Sequence, residues 1–194
     1  GPLCRQQLSC RKLHGRMAIV AAGIAVALKE IYEYFASCAQ ASMDFESAIT
    51  GVAKTTDLTD EELAAMSDSI KALSTEIPAT TEEIAAVAEA AGQLGIQKDA
   101  LLDFTEIMTM LGTATNMTAD EAATSLARFA NITGMATDNY GRLGSVIVDL
   151  GNNFATTESE IVAMGTRLAS AGKLAGLTEP EIMALSAAMS SVGI

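Results

Sequence analysis

The chain has 194 residues, a net charge of −12 and 49% apolar residues, enough for one or two domains with a buried core. It has no Trp, three Tyr and five Phe but ten Met and abundant Ala, a composition that favours helices over sheets. Residues 1–16 carry Arg5, Arg11, Lys12 and Arg16 and no acid, which leaves eight basic against 24 acidic side chains in the rest. That acidic body repels phosphates and argues against direct nucleic-acid binding through its surface.

The start of the chain reads as a tag-like or disordered basic leader over residues 1–16. Gly1-Pro2 looks like the remnant of a protease-cleaved tag, and the stop at Ile194, just after Gly193, suggests a piece of a longer protein. The three cysteines, Cys4, Cys10 and Cys38, are odd in number and clustered. They point to a reducing compartment rather than a secreted disulfide framework. Cys4, Cys10 and His14 match no common zinc spacing, so no metal site is expected.

Residues 17–28 form an unbroken apolar run behind the basic leader. It is too short to span a bilayer as a helix, which needs about 20 residues. From there a heptad seam emerges. Ile24, Leu28, Ile31, Phe35, Cys38, Ser42, Phe45, Ile49 and Val52 alternate at spacings of four and three, which predicts a long amphipathic helix over 17–52. Its apolar stripe, Ile24, Leu28, Ile31, Phe35, Phe45 and Ile49, is the candidate self-association seam. Internal burial against a helix bundle is the plainer alternative.

Over residues 53–194 a helix-start signal recurs. Thr59 with Glu62, Thr80 with Glu83, Thr118 with Glu121, Thr157 with Glu160 and Thr178 with Glu181 each have capping-box spacing. Weaker starts fall near Gln97 and Thr137. Glycines such as Gly95, Gly112, Gly134, Gly151 and Gly176 punctuate the intervals. Within each unit the apolar spacing is helical, as in Leu63, Met66, Ile70 and Leu73. The resulting expectation is an all-α fold, a long N-terminal helix followed by an array of about seven short capped helices.

No catalytic constellation accompanies this pattern. The only histidine is His14 in the leader, so His-dependent nucleophile systems are not expected. Phosphate-loop, dinucleotide and zinc-protease motifs are missing from the sequence. Carboxylate pairs such as Glu82-Glu83 and Asp120-Glu121 sit where helix starts already explain them. Neither catalytic nor cofactor-binding residues are assigned, and no cofactor is expected.

The stretch Met43-Asp44-Phe45-Glu46-Ser47-Ala48-Ile49 resembles the opening of the core region of phage tail tape-measure proteins. It is followed in similar order by Thr59-Asp60-Glu61-Glu62-Leu63, Thr81-Glu82-Glu83-Ile84-Ala85 and Ala90-Ala91-Gly92-Gln93-Leu94-Gly95-Ile96. Farther on come Met117-Thr118-Ala119-Asp120-Glu121-Ala122, Thr156-Thr157-Glu158-Ser159-Glu160-Ile161 and Leu177-Thr178-Glu179-Pro180-Glu181-Ile182-Met183-Ala184-Leu185. The resemblance covers roughly residues 43–194. It implies a structural, non-enzymatic role: scaffolding tail-tube assembly, setting tail length, and leaving ahead of the DNA at ejection. It further implies a place in the virion tail lumen, and in the host bacterial cytoplasm during assembly. The partners it implies are the tail-tube protein, tail assembly chaperones and tail-tip proteins, with self-association and membrane contact at ejection as further expectations. Two rival classes remain at this stage. One is a membrane-active helical protein inserting through residues 17–28; the other is a binding or enzyme-accessory bundle.

Overall fold

The computed structural model describes the backbone of residues 2–193 and the side chains of residues 28–193. Among the described residues there are eight α-helices, one short 3-10 turn and no strand. The helices are α1 (Pro2–Thr55), α2 (Asp60–Glu76), α3 (Thr81–Gln93), α4 (Lys98–Ala114), α5 (Ala119–Thr133), α6 (Tyr140–Asn153), α7 (Glu158–Leu174) and α8 (Glu179–Ser191). The all-α fold, the long first helix and the seven short helices match the sequence expectation. The leader, the apolar run 17–27 and Ile24 lie outside the residues whose side chains are described.

The short helices begin where backbone donors find partners. At Thr59, Thr80, Thr118 and Thr157 the threonine hydroxyl accepts from the backbone N–H three residues on. The Glu at that position accepts from the threonine's own N–H, at 2.8–3.0 Å. Thr178 differs, since both its N–H and its hydroxyl donate to the Glu181 carboxylate, each at 2.8 Å. Gln97 starts α4 with no side-chain cap. The weak start near residue 137 becomes a 3-10 turn over Thr137–Asn139, with α6 proper beginning at Tyr140. Gly95, Gly134 and Gly176 close α3, α5 and α7 in the left-handed region, with φ of 78°, 68° and 81°.

From α3 onward the helices pair. The caps that open α3, α5 and α7 are Thr80, Thr118 and Thr157, spaced 38 and 39 residues apart. Four and five residues past each cap the side chain is buried: Ile84 and Ala85, Ala122 and Ala123, Ile161 and Val162. The second helix of each pair also buries its fourth residue past the cap, Leu101, Leu143 and Ile182. In space α5 lies between α3 and α7, while α6 lies between α4 and α8. Three helical units thus stack in two layers, one of α3, α5 and α7 and one of α4, α6 and α8. This is repeat architecture, in which each unit buries its apolar face against its neighbours.

Small residues set the closeness of the stack. A Cβ at Gly112 of α4 would stand 2.6 Å from the backbone nitrogen of Ala119, at the start of α5. Gly151, six residues before the Thr157 cap as Gly112 is six before Thr118, instead has the flexible Glu158 side chain lying over it at the start of α7. Asn116 ties the α4–α5 turn to α7, donating to the Ser159 hydroxyl at 2.9 Å and accepting from its N–H at 3.1 Å.

The first helical unit is closed off by α2, which packs on α3 and α4 through Met66, Ile70 and Leu73. Asp60, Glu61, Asp68 and Glu76 of α2 are exposed. The end of α1 joins the same core, with Val52 fully buried and Phe45, Ala48 and Ile49 packed against it. Lys71 stands over the Phe45 ring at 5.5 Å, a cation–π contact.

Candidate interaction surfaces

The buried hydroxyls among the described residues turn back on their own helices. The Thr105 hydroxyl donates to the Leu101 carbonyl, Thr109 to Thr105, Thr133 to Phe129 and Ser186 to Ile182. Among the described residues no buried side-chain polar atom lacks a partner, and no group of His, Cys, Asp or Glu is placed to hold a metal. The glutamates three residues past each threonine cap, Glu62, Glu83, Glu121, Glu160 and Glu181, are engaged with the cap's backbone N–H. Glu121, Glu160 and Glu181 are held below the ordinary Glu value, first by the N–H of Thr118, Thr157 and Thr178 and then by the same threonines' hydroxyls. Glu62 is lowered first by its 2.7 Å contact with Lys98 and then by the Thr59 N–H. Each is a structural use of charge.

The chain's candidate surfaces are apolar. On α1 the predicted seam divides. Leu28, Ile31 and Phe35 are 60%, 53% and 66% exposed, whereas Phe45 and Ile49 are half-buried and Val52 is buried. Ile24 lies outside the described side chains. Tyr32 and Tyr34 flank the exposed stretch, and the Tyr34 ring meets Phe35 edge to face. Cys38, on the same stripe, is a free, exposed thiol. Lys29 and Glu33, one turn apart, pair at 3.5 Å beside the stripe.

A second surface was not foreseen from the sequence. Between α4, α6 and the α2–α3 turn runs an open groove of about 590 Å³, floored by Ile107, Met110, Leu111, Gly144 and Val148. Exposed Glu76 and Asp149 line it as well. Its depth comes from the missing side chains of Gly141 and Gly144, one turn apart on α6. Their absent Cβ atoms would sit 3.6 Å from Ile107 and 3.3 Å from Leu111. That pair of glycines at helical spacing was the available signal.

Among the described residues no helix is long and apolar enough to cross a membrane. Most of the 17–28 run lies outside them.

Comparison with known proteins adds an origin to this geometry. The family model for phage-related minor tail proteins matches residues 67–194. Over 165 residues the chain is 25% identical to a probable tape measure protein of Halomonas phage phiHAP-1. That match takes in 78% of this chain and 19% of the relative, so the chain spans less than a quarter of the relative's length. No solved structure matches.

Proposed function

The chain belongs to the family of phage-related minor tail proteins, and from that premise we propose that it is a piece of the tape-measure scaffold of a phage or prophage tail. In this reading it helps assemble the tail tube, contributes to the tube's length and leaves ahead of the DNA at ejection. Its partners are the tail-tube protein, the assembly chaperones and the tail-tip proteins. It works in the host cytoplasm during assembly and in the tail lumen afterwards.

The observation that carries the reading is α1. A helix of 54 residues adds about 1.5 Å per residue along its axis, so its length is a direct count of residues. Its exposed apolar stripe at heptad spacing suits parallel self-association, which makes a thin rod fit for a tube lumen. We assign Ile24, Leu28, Ile31 and Phe35 to the contact between copies, while Phe45 and Ile49 serve the chain's own core. The role is structural rather than enzymatic, a reading supported by the match to phage-related minor tail proteins.

Quantitative mass spectrometry of purified tails and of tail-less heads from the encoding phage tests the assignment. The chain's peptides should be enriched in tails. Their restriction to heads, or to unassembled host lysate, would overturn it.

A further inference from the structure

The helices α2, α4, α6 and α8 share one burial register. Met66, Phe104, Leu143 and Ile182 are buried at successive intervals of 38, 39 and 39 residues. Ile70, Met108, Ile147 and Ser186 repeat those intervals four residues on, each fully buried. Neighbouring positions can therefore be compared helix by helix. One residue past the first set stand Ser67, Thr105, Gly144 and Met183, and two residues before it stand Ala64, Leu102, Gly141 and Pro180. Among these helices only α6 carries glycine at both positions, and the groove of about 590 Å³ lies over that pair. The groove is a local departure from the repeat rather than a product of it.

Packing accounts for one of the two glycines. A Cβ at Gly144 would come within 3.3 Å of Leu111, whereas a Cβ at Gly141 would meet nothing nearer than the flexible Ile107 Cδ1 at 3.6 Å. A glycine in a helix forgoes stability that alanine would supply. What Gly141 leaves is open space beside Ile107, Val148 and the half-exposed Met110, whose flexible thioether adapts to an incoming surface.

The walls select the occupant. Glu76 and Asp149 line the groove and are exposed, and no Lys or Arg lines it. Among the described residues neither carboxylate joins an ion pair, and Asp149 accepts from Asn153 of its own helix. No strand is present among the described residues to offer an edge to an extended segment. A helix satisfies its own backbone and needs only a place for its apolar side chains. We propose that this groove binds an amphipathic helix of another polypeptide, with apolar residues one turn apart on the floor and Lys or Arg on the flanks, reaching Glu76 and Asp149. The site is separate from the α1 seam and does not depend on it.

Fluorescence anisotropy with a synthetic amphipathic helix of about 18 residues tests the proposal. The probe has Leu and Ala on one face and Lys on the flanks; one control replaces each Lys with Glu, and another scrambles the order. The Lys peptide should bind one to one, and both controls should bind at least about tenfold more weakly. Gly141→Leu, which restores the residue that α4 carries at the equivalent position, should weaken binding about tenfold without lowering the melting temperature. Glu76→Gln with Asp149→Asn should weaken it too and flatten its dependence on salt. Binding that survives Gly141→Leu would overturn the proposal, because the acidic body as a whole would then hold the peptide. Equal binding of the Lys and Glu peptides, or no binding of either, would overturn it as well. So would association of an Ile31→Lys/Phe35→Lys background that Gly141→Leu abolishes, which would assign the groove to a second copy.

Discussion

The Phe104 and Tyr140 rings meet edge to face, 4.7 Å between centroids with an interplanar angle of 81°, and this contact joins the second helices of two successive units. Phe104 is fully buried, and burial raises the Tyr140 hydroxyl above its ordinary pKa. Phe104→Ala should therefore cost about 3–5 kcal/mol, cavity included. Tyr140→Phe keeps the ring and should cost under about 1 kcal/mol. Urea unfolding of both variants checks the ordering; equal losses would mean that the hydroxyl, not the ring packing, holds the units together.

Two glycines should respond with opposite signs. Replacing a helix-interior glycine with alanine ordinarily stabilises by about 0.5–1 kcal/mol. Gly141, in the first turn of α6, has room, since its nearest neighbour is the flexible Ile107 Cδ1 at 3.6 Å, and Gly141→Ala should stabilise by less than an interior position would. Gly112→Ala drives a Cβ to 2.6 Å from the Ala119 backbone nitrogen and should destabilise. Thermal melts that raise both variants would show that the α4–α5 approach is looser than described.

The capping boxes link stability to acid. Thr118→Ala and Thr157→Ala should each cost about 1 kcal/mol. Glu121, Glu160 and Glu181 are lowered from 4.5 in the folded state, so ionisation favours folding. Their contribution is complete above that value and disappears as pH falls through the lower folded values. Stability should decline below about pH 4.5, and Glu121→Gln should flatten the decline. A variant as acid-sensitive as the parent chain would remove Glu121 from the account.

Charging the α1 stripe should separate self-association from folding. Ile31→Lys with Phe35→Lys puts two ammonium groups among side chains already exposed in the single chain. Helix content should be retained while light scattering reports a smaller species, because burying those charges between copies is costly. A parent chain already monomeric at high concentration would contradict a seam between copies.

Much of this architecture was legible because its signals are local. A threonine three residues before a glutamate states a helix start outright, and the starts at Thr59, Thr80, Thr118, Thr157 and Thr178 stand at those residues. The start near Thr137 was weaker because no side chain caps it, and the chain spends a 3-10 turn there before α6. The pairing of helices into units of 38 and 39 residues was hidden. Its equivalent positions keep burial but not identity, as Ile84, Ala122 and Ile161 do. Heptad spacing located the α1 stripe but could not say which part is covered. Coverage at Phe45 and Ile49 depends on helices distant in sequence. The groove beside Gly144 was missed for the same reason, since a glycine's missing side chain acquires meaning only against Leu111.

Tail length is the most direct measure of the scaffold reading. Inserting four heptads in frame into α1, in the phage that encodes the chain, preserves the seam and adds 28 helical residues, or about 42 Å of axis. Electron microscopy of the assembled tails should find them longer by about that amount. Complete tails of unchanged length would contradict the claim that this helix contributes to the measure.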